Sequence, residues 1–231
     1  MAFFVAVLII SNVASSAKIV DLGINLFGFF GIPSVPLAFD GGTILFPISY
    51  ILGDILTEVY GYKASRRVIW TGFIALSLSS LFFFVLRLLP GDAIWEAYAG
   101  TEAYDAILGG MSTGGIAIAS LSGYLIGGFS NAAILSRLKV RMKGRLLWVR
   151  AMCSSLVGQL LDSLAFVFVA SITGVFGWEL FATLVITNYL FKVSVEAIIF
   201  PVTFLTVRKL KKKEEIDIFD VDVKLNPFAS A

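Results

Sequence analysis

Two carboxylates lie four residues apart in a stretch that is otherwise apolar enough for a membrane. Asp54 and Glu58 occupy this stretch, which runs from Phe46 to Gly61. Residues four apart share one face of a helix, and Tyr50 lies one turn earlier on the same face. An unpaired carboxylate at the centre of a bilayer costs about 2.5–3.5 kcal/mol or more. We therefore predict that this face borders a protein interior or a water-filled cavity that serves as a substrate site.

Similar polar stripes recur in later apolar stretches, with spacings of three or four residues. They are formed by Ser155, Gln159 and Asp162, and by Asn188, Lys192 and Glu196, while Asn12 and Lys18 come from the start of the chain. Ionisable residues within a membrane usually mark substrate pathways, so we predict that these stripes converge on one polar pocket. The candidate substrate-binding residues are Asn12, Lys18, Phe46, Tyr50, Asp54, Glu58, Gln159, Asp162, Asn188, Lys192 and Glu196.

The candidate pocket contains more acids than bases. Four carboxylates face Lys18 and Lys192, and burial favours the protonated form of a carboxylate. This balance suits a cation, a proton or a ligand rich in hydrogen-bond donors. The alternative is that Lys192 and Glu196 neutralise each other as an i,i+4 pair and serve only assembly.

The composition argues against an enzyme. The chain has no histidine, which is the commonest general base and the commonest zinc ligand. It also lacks a nucleophile elbow and a phosphate-cradling loop, so the only candidate acid pair for a membrane-embedded enzyme is Asp54 and Glu58. We expect no catalysis, no cofactor and no metal. The single cysteine, Cys153, excludes an intramolecular disulfide, and we expect it to be buried.

The chain has the composition of an integral membrane protein. Hydrophobic residues make up 58% of its 231 residues, above the roughly 45–50% of soluble domains. A spanning helix needs about 20 mostly apolar residues. We predict an all-α, polytopic fold with six transmembrane helices over residues 1–20, 43–60, 68–89, 106–135, 147–175 and 179–207.

The remaining segments are expected to lie outside the membrane core. Residues 22–39 are apolar but interrupted by glycine and proline, which predicts a lid-like segment rather than a span. The domain organisation is then a transmembrane domain over residues 1–207 and a cytoplasmic tail over residues 208–231. Spans three and four carry no polar stripe and are predicted to be scaffold, where the spacing of Gly123 and Gly127 permits close helix packing.

Basic residues predict the orientation. They cluster after the second, fourth and sixth spans, whereas the opposite side carries mainly acids. Cytoplasmic loops carry an excess of lysine and arginine, so both termini are predicted to be cytoplasmic. Next to membrane spans these basic runs indicate topology and lipid contacts rather than nucleic-acid binding.

Several motifs along the chain resemble those of one known family. The motifs are Phe46-Pro47 with Tyr50, Asp54, Glu58, Tyr60, Gly61 and Arg66-Arg67; Ser154-Ser155 with Gly158-Gln159, Asp162-Ser163 and Phe166; Lys192, Glu196 and Pro201; and Asp217, Asp220 and Asn226-Pro227-Phe228. Together and in this order they resemble the queuosine precursor transporter family, also called the vitamin uptake transporter family.

The resemblance implies a function. It implies an importer of 7-deazaguanine nucleobases in the cell (inner) membrane, with a fold similar to the S-components of energy-coupling-factor transporters. Asp162 or Glu196 would accept hydrogen bonds from the donor edge of the base, and Gln159, Asn188 or Lys192 would reach its carbonyl. The expected partners are a small-molecule nucleobase and the lipid bilayer. A homodimer or an energising module stays open, as do a substrate-binding subunit and a purely structural protein.

Overall fold

The protein is a bundle of helices with one short β-hairpin. The computed structural model describes residues 1–26, 35–112 and 114–228. The helices are α1 (Ala2–Ala17), α2 (Phe46–Leu88), α3 (Ala93–Tyr98), α4 (Gly100–Ser112), α5 (Gly115–Arg141), α6 (Leu147–Ile172) and α7 (Phe181–Glu214), and the strands are β1 (Ile19–Leu26) and β2 (Val35–Asp40). Short 3₁₀ turns lie at Gly41–Ile44 and Trp178–Leu180.

The predicted multi-pass helical membrane protein is confirmed. Within the described residues, four helical runs are long and apolar enough to cross a membrane: Phe46–Leu88, Gly100–Arg141, Leu147–Ile172 and Trp178–Glu214. Their outward faces expose large apolar side chains such as Leu78, Phe82 and Ile198. In water such a surface would be unfavourable, whereas lipid accommodates it.

Helix α2 reverses direction at Gly61. This glycine has φ +80° and ψ 172°, which is not helical. The Thr57 and Ser65 hydroxyl oxygens are 2.7 Å apart, whereas a straight helix would separate residues eight apart by about 12 Å. The second and third predicted spans are therefore two packed arms, residues 46–60 and 62–88, joined at a single residue. The predicted spans end at residue 60 and begin again at residue 68, whereas the structure has residues 62–67 in the second helical arm.

The chain after α7 caps this reversal. A helix end leaves backbone N–H and C=O groups without partners. The Asp220 carboxylate accepts a hydrogen bond from the Tyr62 backbone N–H at 2.8 Å, and the Ile218 backbone N–H donates to the Val59 carbonyl at 3.2 Å. The C-terminal segment (residues 215–228) is therefore part of the bundle, and α7 extends beyond the predicted span to Glu214.

The predicted lid-like segment, residues 22–39, overlaps the two strands of the hairpin. Strands β1 and β2 pair antiparallel, with Ile19 opposite Asp40 and Leu26 opposite Val35. This pairing is an exception to the predicted all-α class. Residues 27–34, which include the centre of the predicted lid, lie outside the described part of the chain. The hairpin leads into the tight contact of Gly42 with α1, where an added Cβ would lie 2.0 Å from the Ser11 carbonyl oxygen.

Small residues bring α5 and α6 together, as the glycine spacing predicted. A Cβ at Gly127 would lie 2.6 Å from the Asp162 Cβ, and one at Gly158 would lie 2.7 Å from the Asn131 Cβ. An apolar cluster of Phe4, Leu8, Val68, Leu76 and Met111 packs α1, α2 and α4 on the other side of the bundle. Between these two packed regions the helices enclose a cavity.

Candidate functional site

A cavity of about 520 Å³ lies among α1, both arms of α2, α4, α5, α6 and α7. This volume is within the range of about 300–1,000 Å³ that is usual for small-molecule sites. Its polar lining consists of Asn12, Ser15, Ser16, Ser49, Tyr50, Thr57, Ser65, Ser120, Tyr124, Asn131, Asp162, Thr187, Asn188 and Lys192.

An ion pair between α6 and α7 forms part of the cavity wall. The Lys192 Nζ lies 2.5 Å from the Asp162 Oδ2, and the two side chains are 12% and 11% exposed. The Tyr50 hydroxyl lies beside Asp162, since it and the Asp162 Cβ would be 3.1 and 2.6 Å from a Cβ added at Gly127. The Lys192 ammonium lies 5.6 Å from the centre of the Phe46 ring. The predicted alternative, in which Lys192 is neutralised by Glu196, is wrong because Asp162 is its ion-pair partner.

This group offers complementary chemistry to one ligand. The carboxylate accepts hydrogen bonds, the ammonium donates them, and the ring provides a flat apolar surface. The two charges neutralise each other in the absence of a ligand, which limits the cost of keeping them away from bulk water. Gly123 and Gly127 leave the space that the Asp162 side chain occupies, since a Cβ at Gly123 would lie 2.6 Å from the Asp162 Oδ1.

A second polar layer lies behind the cavity wall. Its two acids, Asp54 and Glu196, are 3% and 2% exposed. The Asn131 side-chain amide donates to the Asp54 Oδ1 at 2.6 Å, and the Ser155 hydroxyl contacts both acids, at 3.4 Å from Asp54. The Gln159 amide donates to Glu196. Of this layer, only Asn131 also lines the cavity.

Glu58 lies in a different cluster, at the Gly61 end of the bundle. Arg150 donates to both of its carboxylate oxygens, at 2.6 and 3.1 Å, and the Lys211 Nζ lies 2.5 Å from the Glu58 Oε1. Lys139 donates to the Glu58 backbone carbonyl and pairs with Asp217 at 2.6 Å. The Glu58 carboxylate is thus fully used by protein cations, and it does not line the cavity.

The structure separates the eleven candidate residues into three groups. Asn12, Phe46, Tyr50, Asp162, Asn188 and Lys192 line the cavity; Asp54, Gln159 and Glu196 form the layer behind it; Lys18 and Glu58 lie elsewhere. Lys18 is exposed at the end of α1. The expectation of one shared pocket for all eleven therefore does not hold, because five of them are not part of the cavity wall: Asp54, Gln159, Glu196, Lys18 and Glu58.

Helix α5 contributes polar residues that the sequence reasoning assigned to scaffold. Ser120, Tyr124 and Asn131 line the cavity, and the Tyr124 hydroxyl donates to the Ile69 carbonyl at 2.9 Å. The signal was present in their spacing of four and seven residues, which places them on one helix face.

Sequence comparisons show which known proteins the chain is similar to. Residues 40–206 match a family described as "Putative vitamin uptake transporter". The Queuosine precursor transporter of Escherichia coli (strain K12) is 23% identical over 212 residues, which cover 89% of this chain and 87% of that protein. The Probable queuosine precursor transporter of Bacillus subtilis (strain 168) is 25% identical over 174 residues, or 75% of this chain and 73% of that protein.

A third relative, the Probable queuosine precursor transporter of Haemophilus influenzae (strain ATCC 51907 / DSM 11121 / KW20 / Rd), is 24% identical over 69% of this chain and 64% of its own length. No solved structure is significantly similar to the chain. The family match spans well over half of the chain and includes every residue of the cavity's ion pair and of the layer behind it. The chain therefore belongs to the vitamin uptake transporter family.

Proposed function

We propose that the protein imports a queuosine precursor, a 7-deazaguanine nucleobase such as 7-cyano-7-deazaguanine or 7-aminomethyl-7-deazaguanine, through its central cavity. The observation that carries this proposal is the pairing of Asp162 with Lys192 in the cavity wall, beside Phe46 and Tyr50. The names of the three relatives support the substrate class.

The chemistry of a deazaguanine matches this wall. Its ring N–H and exocyclic amine are adjacent donors, which one carboxylate accepts in a bidentate manner. Its carbonyl, on the same edge, accepts from an ammonium. A bound base would therefore lie between the Asp162 carboxylate and the Lys192 ammonium, replacing their mutual contact. Phe46 would cover the ring face, and Asn12 and Asn188 would reach the remaining polar atoms.

The second polar layer would act indirectly. Asp54, Gln159 and Glu196 lie behind the wall and would position Asn131 and the helices rather than contact the base. Lys18 and Glu58 are left out of the proposed contact set.

The topology proposed here has six spans, with both termini in the cytoplasm and the protein in the cell (inner) membrane. The reversal at Gly61 supports two crossings by α2, one for each arm. Arg66, Lys139 and Arg150 lie at the same end of the bundle, where the C-terminal segment packs. A basic cluster at that end agrees with a cytoplasmic location.

Ligand binding to the purified protein tests the proposal. The panel should contain the two deazaguanines, guanine and unrelated vitamins, with Asp162→Asn and Lys192→Met as variants. Each variant removes a charge-assisted hydrogen bond worth about 1.5–3 kcal/mol, so we expect deazaguanine affinity to fall about 10- to 100-fold.

Asp105→Asn is the matched control, because Asp105 also pairs with a cation, Arg87 at 2.6 Å, but lies outside the cavity lining. Its affinity should equal that of the wild type. Binding of vitamins alone, or equal affinity in all variants, would contradict the proposal. Uptake into proteoliposomes that contain only this chain distinguishes an autonomous carrier from a substrate-binding subunit, which would need a partner.

A further inference from the structure

Two buried acids face each other in the layer behind the cavity. Asp54 on α2 and Glu196 on α7 are both hydrogen-bonded to the same hydroxyl, that of Ser155. A hydroxyl has one hydrogen and cannot satisfy two carboxylates at once. Two ionised carboxylates also repel each other in a medium from which water is excluded. A proton on one of the two would remove this repulsion and supply the donor that the single hydroxyl cannot.

Two buried acceptors nearby also lack a donor. The Asn131 Oδ1 and the Gln159 Oε1 have no hydrogen-bond partner among the described residues, and these side chains are only 3% and 1% exposed. Both amides already donate through their nitrogen atoms to Asp54 and Glu196. A buried acceptor without a donor is unfavourable and uncommon in a folded protein. The two unpaired acceptors and the two acids therefore lie in one region that has more hydrogen-bond acceptors than donors.

The charged neighbours of the acid pair are engaged elsewhere. On α2, Glu58 lies one turn beyond Asp54 and is held by Arg150 of α6 and Lys211 of α7. On α7, Lys192 lies one turn before Glu196 and pairs with Asp162 of α6. Three other titratable groups lie on the helices that pack around the pair. Tyr50 of α2 lies beside Asp162, and Tyr124 of α5 donates to a backbone carbonyl of α2. Lys139 of α5 contacts Glu58 and Asp217. In the described part of the chain no cation contacts either acid of the pair.

We propose that Asp54 and Glu196 together bind one proton, and that this shared site is where the proton that drives import binds. The inference rests on the proposed function. When a proton arrives, an O–H bond forms on one carboxyl group and the other accepts its hydrogen bond. When the proton leaves, that O–H bond breaks and both groups are ionised. No other bond changes and no oxidant is needed.

The position of the pair explains how the proton would affect the cavity. Asp54 lies on the same helix arm as Tyr50, and Glu196 lies one turn from Lys192, so both helices also supply cavity residues. The shared proton holds α2 against α7, while its loss makes the two acids repel. Asn131 connects the two layers, because it lines the cavity and donates to Asp54 at 2.6 Å. Proton binding and ligand binding therefore depend on the same helix arrangement.

The proton itself can be detected without any ligand. Infrared difference spectroscopy of the purified protein, titrated with acid and base, should show a protonated carboxyl band that persists near neutral pH. The band should shift or weaken in Asp54→Asn and in Glu196→Gln, should be absent from the double variant, and should remain unchanged in Asp105→Asn. A wild-type protein without such a band, or a band unchanged in both variants, would overturn the site. Because the wild type is measured first, a variant that fails to fold does not leave the question open.

Transport then tests the coupling. In proteoliposomes, a gradient of one pH unit can support about tenfold accumulation for one proton per ligand. For radiolabelled 7-cyano-7-deazaguanine we expect accumulation in wild type and Asp105→Asn. Asp54→Asn and Glu196→Gln should still bind the ligand and exchange it across the membrane. They should not concentrate it, so the ratio of ligand inside to ligand outside should be about one.

The possible outcomes separate the two proposals. Accumulation driven by a sodium gradient and not by pH, or pH-driven accumulation that survives in both variants, would overturn the coupling role. If the wild type binds no deazaguanine, the proposed function fails, while the infrared result still decides whether the proton site exists.

Discussion

Replacing Glu58 by glutamine should destabilise the protein strongly without weakening ligand binding. Glu58 and Arg150 are each only 1% exposed, and Arg150 donates to both carboxylate oxygens of Glu58. Around them, two acids face three cations, the other members being Asp217, Lys139 and Lys211. The substitution leaves one acid against three cations. Removing one member of a buried ion pair costs about 3–5 kcal/mol because the remaining charge is uncompensated.

The magnitude can be expressed as a thermal shift. For a chain of this size, one kcal/mol corresponds to about 2–4 °C, so Glu58→Gln should lower the unfolding midpoint by about 6–20 °C. The assay is thermal unfolding of the purified protein in detergent, in which size-exclusion chromatography measures the folded fraction that remains after heating. Asp105→Asn is the control, because its pair with Arg87 is about one-third exposed and water screens it, so its shift should be small by comparison.

A double-mutant cycle completes this test. If the two side chains act as a pair, the loss in Glu58→Gln/Arg150→Met should be smaller than the sum of the two single losses. Equal shifts for Glu58→Gln and Asp105→Asn would refute the reasoning. A large loss of ligand affinity in folded Glu58→Gln would show that Glu58 is part of the substrate site.

Three further predictions concern the C-terminal segment and the glycines. Burial alone would raise the pKa of Asp217, but hydrogen bonds from two lysines outweigh burial and lower that pKa. The stability that this carboxylate gives to the attachment of the C-terminal segment is therefore present above the usual aspartate pKa of about 3.9 and is lost as pH falls through the lowered pKa. Hydrogen exchange of residues 215–228 should show this loss, and Asp217→Asn should show it already at neutral pH. Gly61→Ala should cost about 1–3 kcal/mol in thermal unfolding, because it forces a positive φ and places a Cβ 2.8 Å from the Asp220 Oδ1. Gly127→Ala should reduce stability, and it should reduce deazaguanine affinity because the added Cβ would displace Asp162. The adjacent Gly128→Ala, with its nearest atom at 3.7 Å, should leave stability nearly unchanged; an equal loss of stability in the two variants would contradict the packing argument.

The helices and the main polar residues could be predicted from the sequence because they depend on local properties. Apolar runs of about 20 residues are long enough to span a membrane, and spacings of three and four place polar side chains on one face. Asp162 and Lys192 were found in this way. The structure adds their direct pairing, which depends on how α6 and α7 approach each other and is not encoded in either helix alone.

The errors have non-local causes. Asp54 and Glu58 share a helix face, yet one meets another acid and the other meets cations, because their partners come from different helices. The helix restarts directly after Gly61 because Asp220, far along the chain, caps it. Cys153 was expected to be buried as a small apolar residue, but it is exposed on α6, a surface that lipid can cover. No spacing rule specifies these partners.

The capping of the Gly61 reversal has a consequence for biosynthesis. Asp220 follows Tyr62 by 158 residues, so the two arms are made well before the residues that cap their junction. During translation the arms can insert, but the amide and carbonyl at their junction have no partner until Ile218 and Asp220 have been made. A truncated product that ends before Ile218 therefore lacks the final closure of the α2 reversal, and a fusion placed at that point would interrupt the same closure.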